Sequence, residues 1–154
     1  DAEQLSFPSG QDLIVSCSAL QWFVSPEQFF KRCNALLSGH GYFAFSTFGK
    51  ENLKEIAAVT GSGLHYYSLE ELKKSLSMHY NIVTAGEERI RLTFATPLDV
   101  LYHLKHTGVT AVCRQAWTKG DLQEFCDKYA KLFSCGNAVT LTYHPLYIIA
   151  RKKP

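Results

Sequence analysis

Four donor-bearing side chains stand inside apolar or aromatic stretches: Gln21 in ALQWF, Arg114 in VCRQAW, and Tyr143 and His144 in LTYHPL. Amide, guanidinium, phenol and imidazole groups in such surroundings can grip an anionic oxygen, because a charged acceptor strengthens the hydrogen bond. Each also has a plainer reading. Gln21 can cap a helix or bind backbone, Tyr143 and His144 can satisfy local groups at a sheet end, and Arg114 can be an ordinary surface residue. Trp22 and Phe23, beside Gln21, are core residues on the same plain reading. Other chemistries find less support. Cys17, Cys33, Cys113, Cys126 and Cys135 form no C-x-x-C pair, and their odd number argues against a disulfide framework. The six histidines show no H-E-x-x-H pattern, so no metal site is expected. No G-x-G-x-x-G follows a strand-like run, which makes a dinucleotide-binding dehydrogenase a poor reading.

The elements that must position these groups belong to one domain's worth of chain, 154 residues, 46% hydrophobic and 19% charged. A net charge of +2 is too small to imply a nucleic-acid partner. No apolar stretch approaches the roughly 18 residues of a membrane-spanning helix, and no signal peptide opens the chain. Reduced thiols and a cytoplasmic setting are the expectation. The chain begins at Asp1 rather than Met, inside a motif described below, so a fragment is expected.

Asp12 to Cys17 and Tyr42 to Phe48 are apolar runs without strong polar alternation, which suits strands covered on both faces in a parallel sheet. Between them Ser25, Pro26 and Gln28 have the order of a helix start, and Phe29, Phe30, Cys33, Leu36 and Leu37 recur at helical spacing, with Gly39 or Gly41 to end the element. Strand, helix and strand make a right-handed βαβ unit. Asn52 to Thr60 reads as a short helix stopped by Gly61-Ser-Gly63, and Ser68 with Glu71 is a capping box for another. Asn81 to Ala85 and Arg89 to Ala95 read as extended, the latter as an outer strand. Thr96-Pro97 opens a helix ending at Gly108. Thr118, with Asp121 three residues on, opens the clearest amphipathic stripe: Leu122, Phe125, Cys126, Tyr129, Leu132 and Phe133. Val139 to Ala150 reads as one long strand interrupted by Pro145.

Four blocks occur together in one order: DAEQLSFP, DLIVSCSALQWF, GYFAFSTFG, and the pair LKHTGVTA and LTYHPLYIIARKK. In order and spacing they resemble the carboxyl-terminal portion of the malonyl-carrier-protein methyltransferases of biotin synthesis, in the class I family that uses S-adenosylmethionine. The resemblance implies an α/β fold: the C-terminal part of a Rossmann-like sheet, with a helical lid inserted before an antiparallel last strand. It divides the chain into sheet and helices at 1–95, lid at 96–135 and last strand at 136–154. The family's glycine-rich cofactor loop is not in the sequence, and the resemblance starts at the acidic residue after the third strand.

The resemblance further implies that Asp1 accepts a hydrogen bond from the cofactor's adenine amine, with the Ala2 backbone beside the ring. Ser16, Cys17 and Ser18, where a parallel strand ends, are further cofactor contacts, since ligands of open α/β sheets sit beyond the carboxyl ends of the strands. The implied reaction methylates a carboxylate of malonyl-acyl-carrier protein. Gln21, Arg114, Tyr143 and His144 are the candidate grip on the other carboxylate oxygen, and the three stretches around Gln21, Thr47 and Tyr143 are expected along one sheet rim. Lys105, His106, Lys119, Lys128, Lys131 and the basic end could face an acidic carrier, although Asp99, Asp121, Glu124 and Asp127 nearly balance them. Without a neighbour the Asp12–Cys17 strand is an exposed edge, from which self-association and weak cofactor binding are expected. A methyltransferase for another small carboxylate, as for trans-aconitate, and a non-catalytic association domain remain the alternatives.

Overall fold

A computed structural model describes residues 6–109 and 117–154. The chain separates into two compact units. One comprises Asp1–Lys50, Leu64–Glu88 and His144–Pro154, and the other Glu51–Gly63 and Arg89–Tyr143.

The first unit is a four-stranded sheet in the order β1-β2-β7-β3, built from β1 (Gln11–Cys17), β2 (Leu37–Phe48), β3 (Tyr80–Glu87) and β7 (Pro145–Lys152). β1 and β2 are parallel, and β7 runs antiparallel to both β2 and β3. Helices α1 (Pro26–Leu36) and α3 (Leu69–Leu76) give the sheet its core: Phe30, Cys33, Leu72 and Leu76 pack with Phe43, Phe45, Leu146, Ile148 and Ala150. The strand residues in that cluster alternate with Tyr42, Tyr147 and Ile149, which are exposed together with Leu13 and Val15. The two-sided cover expected from the apolar runs is therefore one-sided among the described residues. Their second face is lined by large apolar side chains in place of the usual polar ones.

Helix α1 starts at Pro26, but the Ser25–Gln28 box does not form: the Ser25 side chain makes no cap bond. The helix also stops earlier than Gly39 or Gly41. Leu37 takes an extended conformation, buries its side chain and opens β2 directly, so both glycines are strand residues. Gly41 is there because a Cβ would come 2.9 Å from the Gln11 carbonyl oxygen. Helix α3 is capped as its sequence implies, with the Glu71 amide donating to the Ser68 hydroxyl (3.3 Å) and the Ser68 amide to the Glu71 carboxylate (2.7 Å).

The second unit holds a three-stranded antiparallel sheet in the order β4-β6-β5: β4 (Ile90–Phe94), β5 (Ser134–Cys135) and β6 (Ala138–Tyr143). Three helices complete it: α2 (Lys54–Thr60), α4 (Pro97–His106) and α5 (Lys119–Phe133). Its core joins Leu53, Ile56, Val100, Leu104, Phe125 and Tyr129 to Val139 and Leu141. Thr96 with Asp99, and Thr118 with Asp121, form capping boxes at α4 and α5. Gly61 ends α2 at φ +67° and Gly108 follows α4 at φ +77°, left-handed values that suit glycine. The α5 stripe faces the core through Phe125 and Tyr129, while Leu132 is exposed.

Two boundaries differ from the sequence expectation. The single long strand is two strands in different sheets, with His144 between them and Pro145 opening β7. The 96–135 stretch is not purely a helical insertion. Its unit also takes in β4, β6 and α2, because β4 pairs with β6 across some fifty residues of sequence.

Candidate functional site

In the first unit, the end of β2 lies opposite the start of β7, with Thr47 paired to Leu146 and Phe48 to Pro145. The parallel β1 ends at the same rim, where Cys17 pairs with Ser46. The next residue, Ser18, is held at φ +50°, a left-handed conformation uncommon outside glycine. Two bonds fix it there: its amide donates to the Ser46 carbonyl (3.0 Å) and approaches the Ser46 hydroxyl (3.3 Å).

Gln21 fastens this turn from above. It sits in a 3₁₀ turn, Leu20–Trp22, whose Leu20 is buried. Its Nε2 donates to the Ser18 carbonyl at 2.6 Å, and its Oε1 accepts from the Thr47 hydroxyl at 3.2 Å. One amide thus links the ends of β1 and β2. Sequence reasoning placed Gln21, Thr47 and Tyr143 on one rim of one sheet; the structure joins the first two directly, but Tyr143 ends β6, a strand of the other sheet. Gln21 also behaves as its plainer reading had it, as a partner for backbone. Beside this link a small recess is lined by Gln21, Thr47, Phe48, His65 and Tyr67. Trp22 is 52% exposed, whereas Phe23 packs against the core and meets Phe29 edge-on.

His144 is at the same rim and buried. Its Nε2 lies 3.2 Å from Glu87 Oε2, and its carbonyl accepts from the Gly49 amide at 2.7 Å. The ring fills the space a side chain at position 49 would need, because a Cβ on Gly49 would lie 2.6 Å from it. Gly49, in the stretch Phe48-Gly49-Lys50, leaves a seat for this imidazole. Glu87 was not found by sequence reasoning, since 57 residues separate it from its partner.

Tyr143 belongs to the second unit. Its hydroxyl is 3.0 Å from His103 Nε2 on α4, and the rings meet edge-on at 5.9 Å. Burial pushes the phenol's pKa up, a hydrogen bond with Thr107 opposing it in part, so Tyr143 stays protonated and uncharged. Two further buried groups lie in this unit. Glu55 accepts from the Thr142 amide (3.0 Å) and hydroxyl (2.5 Å), and the Leu53 amide donates to the Thr142 carbonyl (2.8 Å). β5 reaches only Ala138 and Val139, so a carboxylate and an amide complete β6 where no strand does.

Ser16 lines an apolar cavity of about 300 Å³ along β1, together with Phe7, Ile14, Phe23, Cys33 and Arg32, the one charged lining residue among those described. Cys17 is an exposed free thiol at the strand end. Burial pushes the Cys33 thiol up to about 12, which makes it unreactive. Asp1, Ala2 and Arg114 lie outside the described residues.

A family model described as a methyltransferase domain matches residues 1–45. The chain is similar to the malonyl-[acyl-carrier protein] O-methyltransferase of Bacteroides thetaiotaomicron, 56% identical over 99% of this chain and 62% of that protein. It is similar to the Haemophilus influenzae enzyme of the same name, 42% identical over 98% of this chain and 58% of that protein. Among solved structures, a putative methyltransferase from Bacillus halodurans matches all of this chain and 70% of its own, at a TM-score of 0.66 and 16% identity, which speaks for the fold. A Haemonchus contortus N-methyltransferase solved with S-adenosylhomocysteine matches all of this chain and 36% of its own, at 0.53 and 14%. The chain spans about three-fifths of the length of most of the curated relatives it matches. Over nearly its whole length, therefore, this chain is similar in sequence to part of the malonyl-[acyl-carrier protein] O-methyltransferases, and it shares its fold with part of a solved methyltransferase.

Proposed function

We propose that the protein to which this chain belongs transfers a methyl group from S-adenosylmethionine to the free carboxylate of malonyl-acyl-carrier protein, in biotin synthesis. The observation that carries this reading is the 56% identity, over 99% of the chain, to a protein of that name. The cofactor supplies an electrophilic methyl on a sulfonium. The carboxylate oxygen forms the new O–CH₃ bond as the CH₃–S bond breaks, and the electron pair stays on sulfur. Both the nucleophile and the leaving group are competent without proton transfer. A carboxylate is already ionised near neutral pH, so the protein's work is alignment and exclusion of water.

The described residues suit part of that work. The β1 end offers Ser16 on the lining of an apolar cavity, with Ser18 two residues on, surroundings that fit the uncharged thioether side of the cofactor. Asp1 and Ala2 remain the proposed adenine contacts, and Cys17 a contact at the strand end. Gln21, with both amide atoms engaged, positions the rim. Tyr143, kept neutral by burial, is a donor for a carboxylate oxygen, with Arg114 and His144 as the other members of the proposed grip. The role of α4 and α5 as a lid belongs to the same proposal. Free thiols at Cys17, Cys33, Cys126 and Cys135 support a reducing, cytoplasmic setting, and among the described residues no helix is long and apolar enough to cross a membrane.

The test is methyl transfer by the whole protein, with labelled cofactor, offered malonyl-acyl-carrier protein, free malonate or trans-aconitate. Ester formation on the carrier-bound substrate alone, or at least a hundredfold preference for it, is the expected result. Equal rates on the free acids would replace this reading with a small-carboxylate methyltransferase, and no transfer to any of them would remove it.

A further inference from the structure

The second unit carries a recess of about 340 Å³ lined by Glu51, Lys54, Arg89, Arg91 and Thr142. Three cations and one carboxylate leave it with a formal charge of +2. The carboxylate is fully engaged: Glu51 pairs with Lys54 (2.9 Å) and with the Arg89 guanidinium. Those contacts push its acid down to about 2, so it stays ionised and holds both cations in place. Arg91 makes no ion pair among the described residues. It projects from β4 opposite Thr142 of β6, whose hydroxyl is committed to the buried Glu55. Glu55 is the carboxylate bonded to Thr142, the residue paired with Arg91. Its two oxygens are bonded to the Thr142 amide and hydroxyl, which turns them away from service as a partner for Arg91.

Like charges gathered in a recess repel one another, and an arrangement of this sign is relieved by a bound anion. The donors also come from different directions, as two guanidinium forks and one point-like ammonium on separate elements, α2 and β4 with its preceding residue. A planar carboxylate presents two oxygens to one fork. A tetrahedral oxyanion presents three or four oxygens and can engage both forks and the ammonium together. We propose that this recess is a binding site for a phosphate group, free or as an ester. The assignment is independent of the methyl-transfer reading, since no residue of the recess belongs to the proposed grip or the cofactor contacts.

The test is an amide chemical-shift titration of the chain with inorganic phosphate, phenyl phosphate and malonate at low salt. Saturable shifts confined to Glu51–Lys54, Arg89–Arg91 and Thr142, with phosphate at least tenfold tighter than malonate, are expected. Phenyl phosphate binding as well as phosphate identifies an ester-accepting site, and binding of phosphate alone identifies a site for the free ion. Arg91→Gln should weaken phosphate at least tenfold with an unchanged circular dichroism spectrum, while Lys131→Gln, on α5, should leave it unchanged. Absence of saturable shifts, shifts spread over the exposed lysines generally, malonate binding as tightly as phosphate, or an Arg91→Gln variant with undiminished affinity would each overturn the proposal.

Discussion

The two sheets treat their edges in opposite ways. In the second unit, β6 runs past the end of the two-residue β5, and what a further strand would have supplied comes from side chains and a helix entrance: Glu55 and the Leu53 amide at Thr142, and the Tyr129 hydroxyl at the Thr140 carbonyl (2.7 Å). In the first unit, β1 ends the strand order, and its outward side chains Leu13 and Val15 are 56% and 58% exposed. The lesson is that a buried edge must have every backbone polar group paired, because an orphan loses its hydration for nothing. An edge that water reaches has no such requirement, but it becomes a template for other strands.

The largest test of this contrast is Glu55→Ala. It strands the Thr142 amide and hydroxyl in a site where both Glu55 and Thr142 are buried, and a loss of about 3 kcal/mol in urea unfolding is expected. A loss under about 0.5 kcal/mol would mean that water, not Glu55, can serve that edge. Tyr129→Phe removes one donor and leaves the ring packed, so about 1 kcal/mol is expected by the same measurement. At the open edge, the double change Leu13→Lys and Val15→Lys should alter stability by about 0.5 kcal/mol or less. It should nonetheless abolish any concentration-dependent association seen by sedimentation; association that survives would place the self-contact elsewhere. The smallest effect is a titration. Glu71, in the α3 cap, is depressed from 4.5 to about 2, first by the hydrogen bond from Lys50 and then by those from Ser68. Its stabilising contribution is therefore complete above its unfolded value near 4.5 and declines as pH falls toward 2. Carboxyl chemical shifts should locate its midpoint near 2, and a midpoint near 4.5 would show that the cap carboxylate is not held.

Local features were readable before the fold was. The Ser68–Glu71 and Thr118–Asp121 boxes, the α5 stripe and the apolar runs of β1 and β2 are all encoded within a few neighbouring residues. What escaped depends on partners far along the chain. Gly39 and Gly41 look like helix stops until Leu37 is seen buried and Gly41 is seen beside Gln11. Residues 139–150 look like one strand until β6 pairs with β4 and β7 with β2. Glu55 and Thr142 are 87 positions apart, and no local pattern marks either as half of a pair. At the site, Gln21 and Thr47 could be placed on one rim by topology alone, but the amide that joins them could not be foreseen. The proposed function rests on the order of four sequence blocks and on the similarity to the carrier-protein methyltransferases, not on the strand assignments.

The central claim is that the rim at the ends of β1 and β2 is where the cofactor's reactive end sits. It is tested most directly by titrating the whole protein with S-adenosylhomocysteine while following backbone amides. Saturable shifts at Ser16–Gln21 and Ser46–Gly49 are predicted. Saturation of the protein with those amides unmoved would contradict the account.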